Sequence, residues 1–215
     1  MNVLRILAPL VLIAARADAG AWPLPEGDSH LSFSVEGDRG DGTGLYSTLY
    51  VEHGLGGGRT AGVDLGLSET DANKALAFLR WHDRPGDGAA TRLAYEIGIG
   101  MVDEQAALRP GVSVGRGMEL GQNAGWVALD ARAVVFEELE GRLEMDLTVG
   151  ADTGADDKWL VQVQMAAPGD ASPYVKLAPS YAFERSGGRH ILLGVTAGIV
   201  GFDDVKLNLG LWQGF

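Results

Sequence analysis

The sequence predicts an all-β fold: an antiparallel, up-and-down transmembrane β-barrel, with twelve as the strand count. Three features of the 215 residues predict it. Apolar and polar residues alternate with period two almost throughout, and no helix of useful length interrupts them. The tryptophans fall at one level once the strands are numbered. The chain also ends on an amphipathic strand that finishes in Phe215.

The first nineteen residues stand outside that pattern. Arg5 supplies a positive start, Ile6 to Ala15 is an apolar run, and Ala17-Asp18-Ala19 has the form of a cleavage site before Gly20. The run is too short for a membrane-spanning helix, which needs about 20 apolar residues. The expected organisation is therefore a cleaved export signal over 1–19 and one barrel domain over 20–215. Composition narrows the function. The absence of cysteine excludes disulfide scaffolds, Cys-ligated zinc and thiol nucleophiles. A net charge of −12 argues against a nucleic-acid partner.

In chain order, the clearest alternation runs over 30–36, 60–68, 92–101, 142–150, 158–165, 190–199 and 205–211. Weaker segments over 44–55, 74–82, 108–117, 126–136 and 174–184 complete the twelve. The stretch Asp71 to Trp81, rich in Ala and Leu, is read as a strand despite its helical composition. Turn clusters separate the strands: Gly56-Gly57-Gly58, Arg84-Pro85-Gly86-Asp87-Gly88, Asp152-Thr153-Gly154, Pro168-Gly169-Asp170 and Ser186-Gly187-Gly188. Without helical crossovers the connections are hairpins, so the strands form an antiparallel meander. Closure then places Leu31 to Val35 beside Val205 to Leu211.

Alternation leaves open which face is wet, and strand number decides it. Soluble up-and-down barrels close at about eight strands, because apolar side chains cannot fill a wider ring. A twelve-stranded ring needs water or a polar network inside. The polar face supplies charges of both signs: Arg80, Arg92, Glu96, Asp130, Arg132, Arg142, Glu144, Asp146, Lys176 and Lys206, with Glu36, Glu52 and Asp64 as further candidates. Facing inward they would stay hydrated or paired, while Leu, Val, Ile and Ala face lipid.

With the first strand running up from the periplasm, Trp81 ends strand four, Trp126 opens strand seven, Trp159 opens strand nine and Trp212 closes strand twelve. All four fall at the periplasmic rim, the pattern expected of an interfacial aromatic girdle. Phe215, preceded at alternate positions by Leu211, Leu209, Leu207 and Val205, has the form of a barrel insertion signal, although Gln213 is polar where the pattern is usually apolar.

Three stretches carry a family resemblance: Gly20-Ala21-Trp22-Pro23-Leu24-Pro25-Glu26-Gly27, Tyr50-Val51-Glu52-His53-Gly54-Leu55 and Leu211-Trp212-Gln213-Gly214-Phe215. Together they resemble small proteobacterial outer-membrane barrels, including the phenol meta-pathway or transporter-like group. The resemblance implies an outer-membrane location, contact with its lipid, and delivery by periplasmic chaperones and the barrel-assembly machinery. It implies passage of small molecules and offers no catalytic motif.

Function divides three ways. One reading is a narrow channel for small polar or weakly amphipathic solutes, its lumen either nearly closed by Arg80, Arg92, Arg132 and Arg142 facing Glu96, Asp130, Glu144 and Asp146, or lined by them on opposite walls. The connections look too short for a large constriction loop or plug, which favours control by wall residues. A second reading is a closed-lumen barrel with a structural or surface role. A third, an outer-membrane hydrolase, lacks a convergent site. Ser29 and His30 point to opposite faces as strand neighbours, and His82 and His190 are read as rim residues rather than metal ligands. No enzyme activity, catalytic residue, metal or cofactor is expected.

Overall fold

The computed structural model describes residues 20–38, 44–68, 72–83, 90–137, 141–153, 156–169, 172–201 and 203–215. The export signal expected over 1–19 and the turn expected at 84–88 lie outside them. The described residues hold twelve strands and no helix: β1 Ser29–Asp38, β2 Tyr46–Gly56, β3 Arg59–Ser68, β4 Ala72–His82, β5 Thr91–Val102, β6 Gln105–Leu120, β7 Asn123–Phe136, β8 Gly141–Asp152, β9 Lys158–Pro168, β10 Tyr174–Arg185, β11 Arg189–Val200 and β12 Val205–Gly214.

Each strand pairs antiparallel with its neighbour in sequence, and β1 pairs with β12, so the sheet is a closed barrel without an edge. The closing seam sets Leu31 against Gln213, Phe33 against Leu211 and Val35 against Leu209. Phe215 extends it, with the Ser29 N–H donating to the Phe215 carbonyl at 2.7 Å and the Phe215 N–H donating back at 3.0 Å. A closed ring pairs its ladder groups within the protein, which a hydrocarbon surrounding demands.

Some hairpins are very tight. Gly57 and Gly58 join β2 to β3 with φ of 61° and 72°, the left-handed pair of a two-residue turn that only glycine adopts without strain. Asp71 to Trp81 lies almost wholly in β4 despite its Ala/Leu content, because β3 and β5 pair with it on both sides.

The outer face is greasy. Leu67, Ile99, Leu193, Ile199, Leu207 and Leu209 all sit at odd positions of their strands and all are exposed. The inner face is mixed. Even positions of β4, β5 and β7, and odd positions of β6, are buried against the interior. They include an apolar cluster of Leu76, Val102, Ala107 and Val134 at the end of the barrel away from the termini. At the termini end two more apolar clusters lie inside: Trp22 with Trp126 and Ala128, and Leu160, Ala182 and Leu192 with Trp212.

Two of the four tryptophans expected in the girdle are therefore placed differently. Trp81 is 41% exposed on the outer face and Trp159 shares its strand's outward register. Trp126 is only 6% exposed and packs inside, and Trp212 also points inward. The cause is parity. Trp126 shares the even register of Asp130 and Arg132, and Trp212 that of Lys206 and Asn208. Room for Trp126 comes from Gly150 across the strand pair, where a Cβ would collide with the indole. The outer aromatic band at this end instead combines Trp81, Tyr95 and Trp159 with Tyr181, Phe183 and Phe215.

Candidate functional site: the barrel interior

One wall of the interior is filled by a chain of alternating charges. Arg80 reaches Glu52 on β2 at 2.9 Å and Glu96 on β5 at 2.6 Å. Arg109 on β6 holds the other oxygen of Glu96 at 2.9 Å and donates to Asp64 on β3, which Lys74 also contacts at 2.8 Å. Arg132 on β7 lies 3.7 Å from both Glu96 and Asp130 and 3.6 Å from Asp146. Four cations and five carboxylates thus knit β2 to β8. Arg80 and Arg109 are each 1% exposed, a burial that only paired charges tolerate. Their Nε atoms have no hydrogen-bond partner among the described residues. The Phe78 ring lies beside both guanidinium groups instead, at 5.0 and 5.9 Å, and stacks on Tyr50 at 5.3 Å.

The expected lumen charges fall into three groups. Arg80, Glu96, Asp130, Arg132 and Asp146 belong to this network. Arg142, Glu144, Lys176 and Lys206 line the mouth opposite the termini, where Arg142 bonds Glu144 at 2.7 Å and Asp103 at 3.2 Å. Arg92 stands apart near the termini end, opposite Gly115. Arg109, absent from the expected set, is at the centre of the network. The alternation Ala107, Arg109, Gly111, Ser113 against Leu108, Pro110, Val112, Val114 carried the signal, obscured by the proline.

Across from this wall lies space. A cavity of about 480 Å³ is bordered by β1, β2 and β7–β12, and hydroxyl, amide and phenol groups are prominent in its lining. Glu36, Tyr46, Tyr174 and Lys176 border both it and a mouth cavity of about 590 Å³. The interior is therefore entered from the end opposite the termini. At the termini end the lining becomes Gly20, His30, Trp126, Leu160, Leu192 and Trp212.

That floor includes a short segment that precedes the first strand. Residues 20–22 lie inside the barrel ahead of β1, while Pro23 and Pro25 are exposed. Ala21 is buried and its carbonyl lies 3.3 Å from His82 Nδ1. Trp22 packs against Gly115, where a Cβ would strike the indole. A Cβ on Gly20 would stand 2.8 Å from both the Asp130 carboxylate and the Ser113 hydroxyl, so this glycine reaches the charged network itself. The expectation concerned a large constriction loop or plug; what fills this end is a short segment ahead of the first strand. The plug is short, and it works because three small residues, Gly20, Ala21 and Gly115, let the backbone approach the wall.

The histidines form no convergent site. Ser29 Oγ lies 2.9 Å from His53 Nδ1, but both occupy the outward register and no carboxylate hydrogen bond to that ring is found among the described residues. His30 and His82 are buried inside, His82 Nε2 lying 3.2 Å from Thr60 Oγ1. His190 lies 3.1 Å from the Asp156 carbonyl.

No family model and no curated protein matches this chain. Solved structures do resemble it. The KdgM porin covers 86% of this chain and 99% of its own length, with 9% identity and a TM-score of 0.63. The same porin in complex with disordered oligogalacturonate aligns with a TM-score of 0.66 at the same coverage and identity. The COG4313 outer membrane channel from Pseudomonas putida F1 covers 93% of this chain and 99% of its own, with 9% identity and a TM-score of 0.59. At such low identity these similarities speak to architecture, and they agree with the structure in making this chain a closed, twelve-stranded antiparallel barrel of the form found in outer-membrane proteins.

Proposed function

We propose that this protein is an outer-membrane, porin-like barrel that admits small polar solutes through a narrow lumen. The observation that carries this reading is the polar cavity of about 480 Å³, which joins a charged mouth inside a ring whose outer face is apolar. Such an outside suits hydrocarbon and such an inside suits water. The solved porin and channel of the same architecture support the reading. Residues 1–19 would act as the export signal that takes the chain to the envelope, with chaperones and the assembly machinery handling it before lipid does.

Gly20, Trp126 and Trp212 border the cavity at the termini end, so passage through the whole barrel needs residues 20–22 to yield. This favours a small resting conductance over that of a wide porin. Reconstitution in planar bilayers tests it. The full chain should give small, stepwise currents, and deleting residues 20–26 should enlarge each step several-fold. Silent insertion by both forms would reject the channel and leave a closed barrel with a structural or surface role.

A further inference from the structure

The hollow side of the interior has a chemical preference of its own. The middle of the cavity is lined at inward positions by Ser34, Thr48, Thr148, Gln162, Gln164 and Asn208, which come from β1, β2, β8, β9 and β12 and carry no charge. Several already orient one another. Ser34 Oγ and Thr48 Oγ1 are 2.7 Å apart, Gln164 Nε2 donates to Gln162 Oε1 at 2.6 Å, and Gln162 Nε2 donates to Thr148 Oγ1 at 3.3 Å. Each keeps capacity in reserve, since a hydroxyl offers one donor and two lone pairs and an amide two donors and two lone pairs. The result is two fixed groups of neutral donors and acceptors that border the same space.

Glu36, Glu52, Asp130 and Lys176 line the same cavity around this band, and the charges there are already engaged. The guanidinium groups of Arg80, Arg109 and Arg132 face carboxylates of the packed wall. Glu36, above the band, accepts from Thr196 at 2.9 Å, and the Lys176 ammonium lies 5.4 Å from the Tyr174 ring. A carboxylated solute would have to compete with Glu52, Glu96 and Asp130 for cations. A neutral solute with many hydroxyls exchanges its water for these groups at little electrostatic cost.

We infer that the middle of the cavity is a binding site for a neutral, hydroxyl-rich small molecule of mono- or disaccharide size. A cavity of about 480 Å³ lies within the ordinary range for small-ligand pockets. The inference rests on the reading that solutes enter this lumen, and it adds the class they belong to.

The test is calorimetric titration of the refolded full-length barrel with sucrose, galacturonate and glucosamine in turn. Sucrose should bind saturably, and the two charged sugars at least ten-fold more weakly. The double variant Gln162→Leu/Gln164→Leu should lose at least ten-fold in sucrose affinity while keeping the heat-modifiable gel migration of a closed barrel. An unsaturable sucrose response from a correctly migrating barrel overturns the inference. So does a charged sugar that binds as tightly as sucrose, or a double variant that binds like the parent. Bilayer recordings on the same sample separate the two readings. Saturable sucrose binding with silent bilayers rejects the channel and keeps the site; stepwise current without sucrose binding does the reverse.

Discussion

The walls on the two sides of this barrel fill their interior in opposite ways. From β3 to β7 the inward residues meet across the lumen: Leu76, Val102, Ala107 and Val134 in one layer, and the Arg80, Arg109 and Arg132 network in the next. From β8 to β12 and β1 they stop short and leave the cavity. Side-chain length explains part of the contrast. On the packed side the long side chains of Phe78, Arg109 and Arg132 fold over inward glycines such as Gly62, Gly98 and Gly111, whereas on the hollow side Ala178, Ser180, Gly194 and Gly210 hold inward positions over which no comparable chain of long side chains closes. A twelve-stranded ring is too wide for a uniform apolar core. Here one side is stiffened by buried ion pairs and the other is left to water.

The contrast predicts unequal sensitivity to mutation. The largest effect belongs to the packed side. Arg80→Ala takes a cation away from buried Glu52 and leaves Glu96 to Arg109 and Arg132 alone, and losing one partner of a buried pair costs about 3–5 kcal/mol. The transition seen by heat-modifiable migration should fall steeply, and an unchanged transition would mean the network is solvated rather than structural. Next comes the outer face. Leu209→Arg sets a charge against lipid at a cost of about 2–4 kcal/mol near the bilayer midplane. Gln164→Arg, which points into the cavity, should be tolerated when both variants are compared by heat-modifiable migration. Equal costs for these two would break the assignment of faces.

Smaller still is Ser34→Ala on the hollow side. It removes one hydroxyl from the pair with Thr48, and with cavity water free to replace it the loss should stay at about 0.5–1 kcal/mol. A loss as large as that of Arg80→Ala would show that the hollow wall is as tightly coupled as the packed one.

Most of the fold was legible in the sequence because a strand's side chains alternate strictly. All twelve segments became strands, and the seam between β1 and β12 lies where the apolar alternation placed it. The tryptophans show how far that reasoning reaches. Counting strands gives a residue's level in the barrel, but only its parity gives its face. Trp126 and Trp212 share the termini end with Trp81 and Trp159, yet they sit inside because their registers match those of Asp130 and Asn208. Nothing local marked residues 20–22 as an internal plug. Trp22 meets Gly115, and Ala21 meets His82, across long stretches of chain, and pairings of that kind leave no period to read. The hollow side was hidden for a related reason: alternation reports polarity and is blind to how far each side chain extends.

The seam has a consequence for biogenesis. Ser29 and Phe215, near opposite ends of the chain, exchange both backbone hydrogen bonds, so β1 keeps a raw, unpaired edge until β12 arrives. Such an edge is a template for association with other chains, and a contact this distant in sequence forms late. The growing polypeptide therefore has to be shielded until its final strand exists, and a chain cut short before β12 should accumulate as aggregate or be degraded rather than insert as a smaller ring.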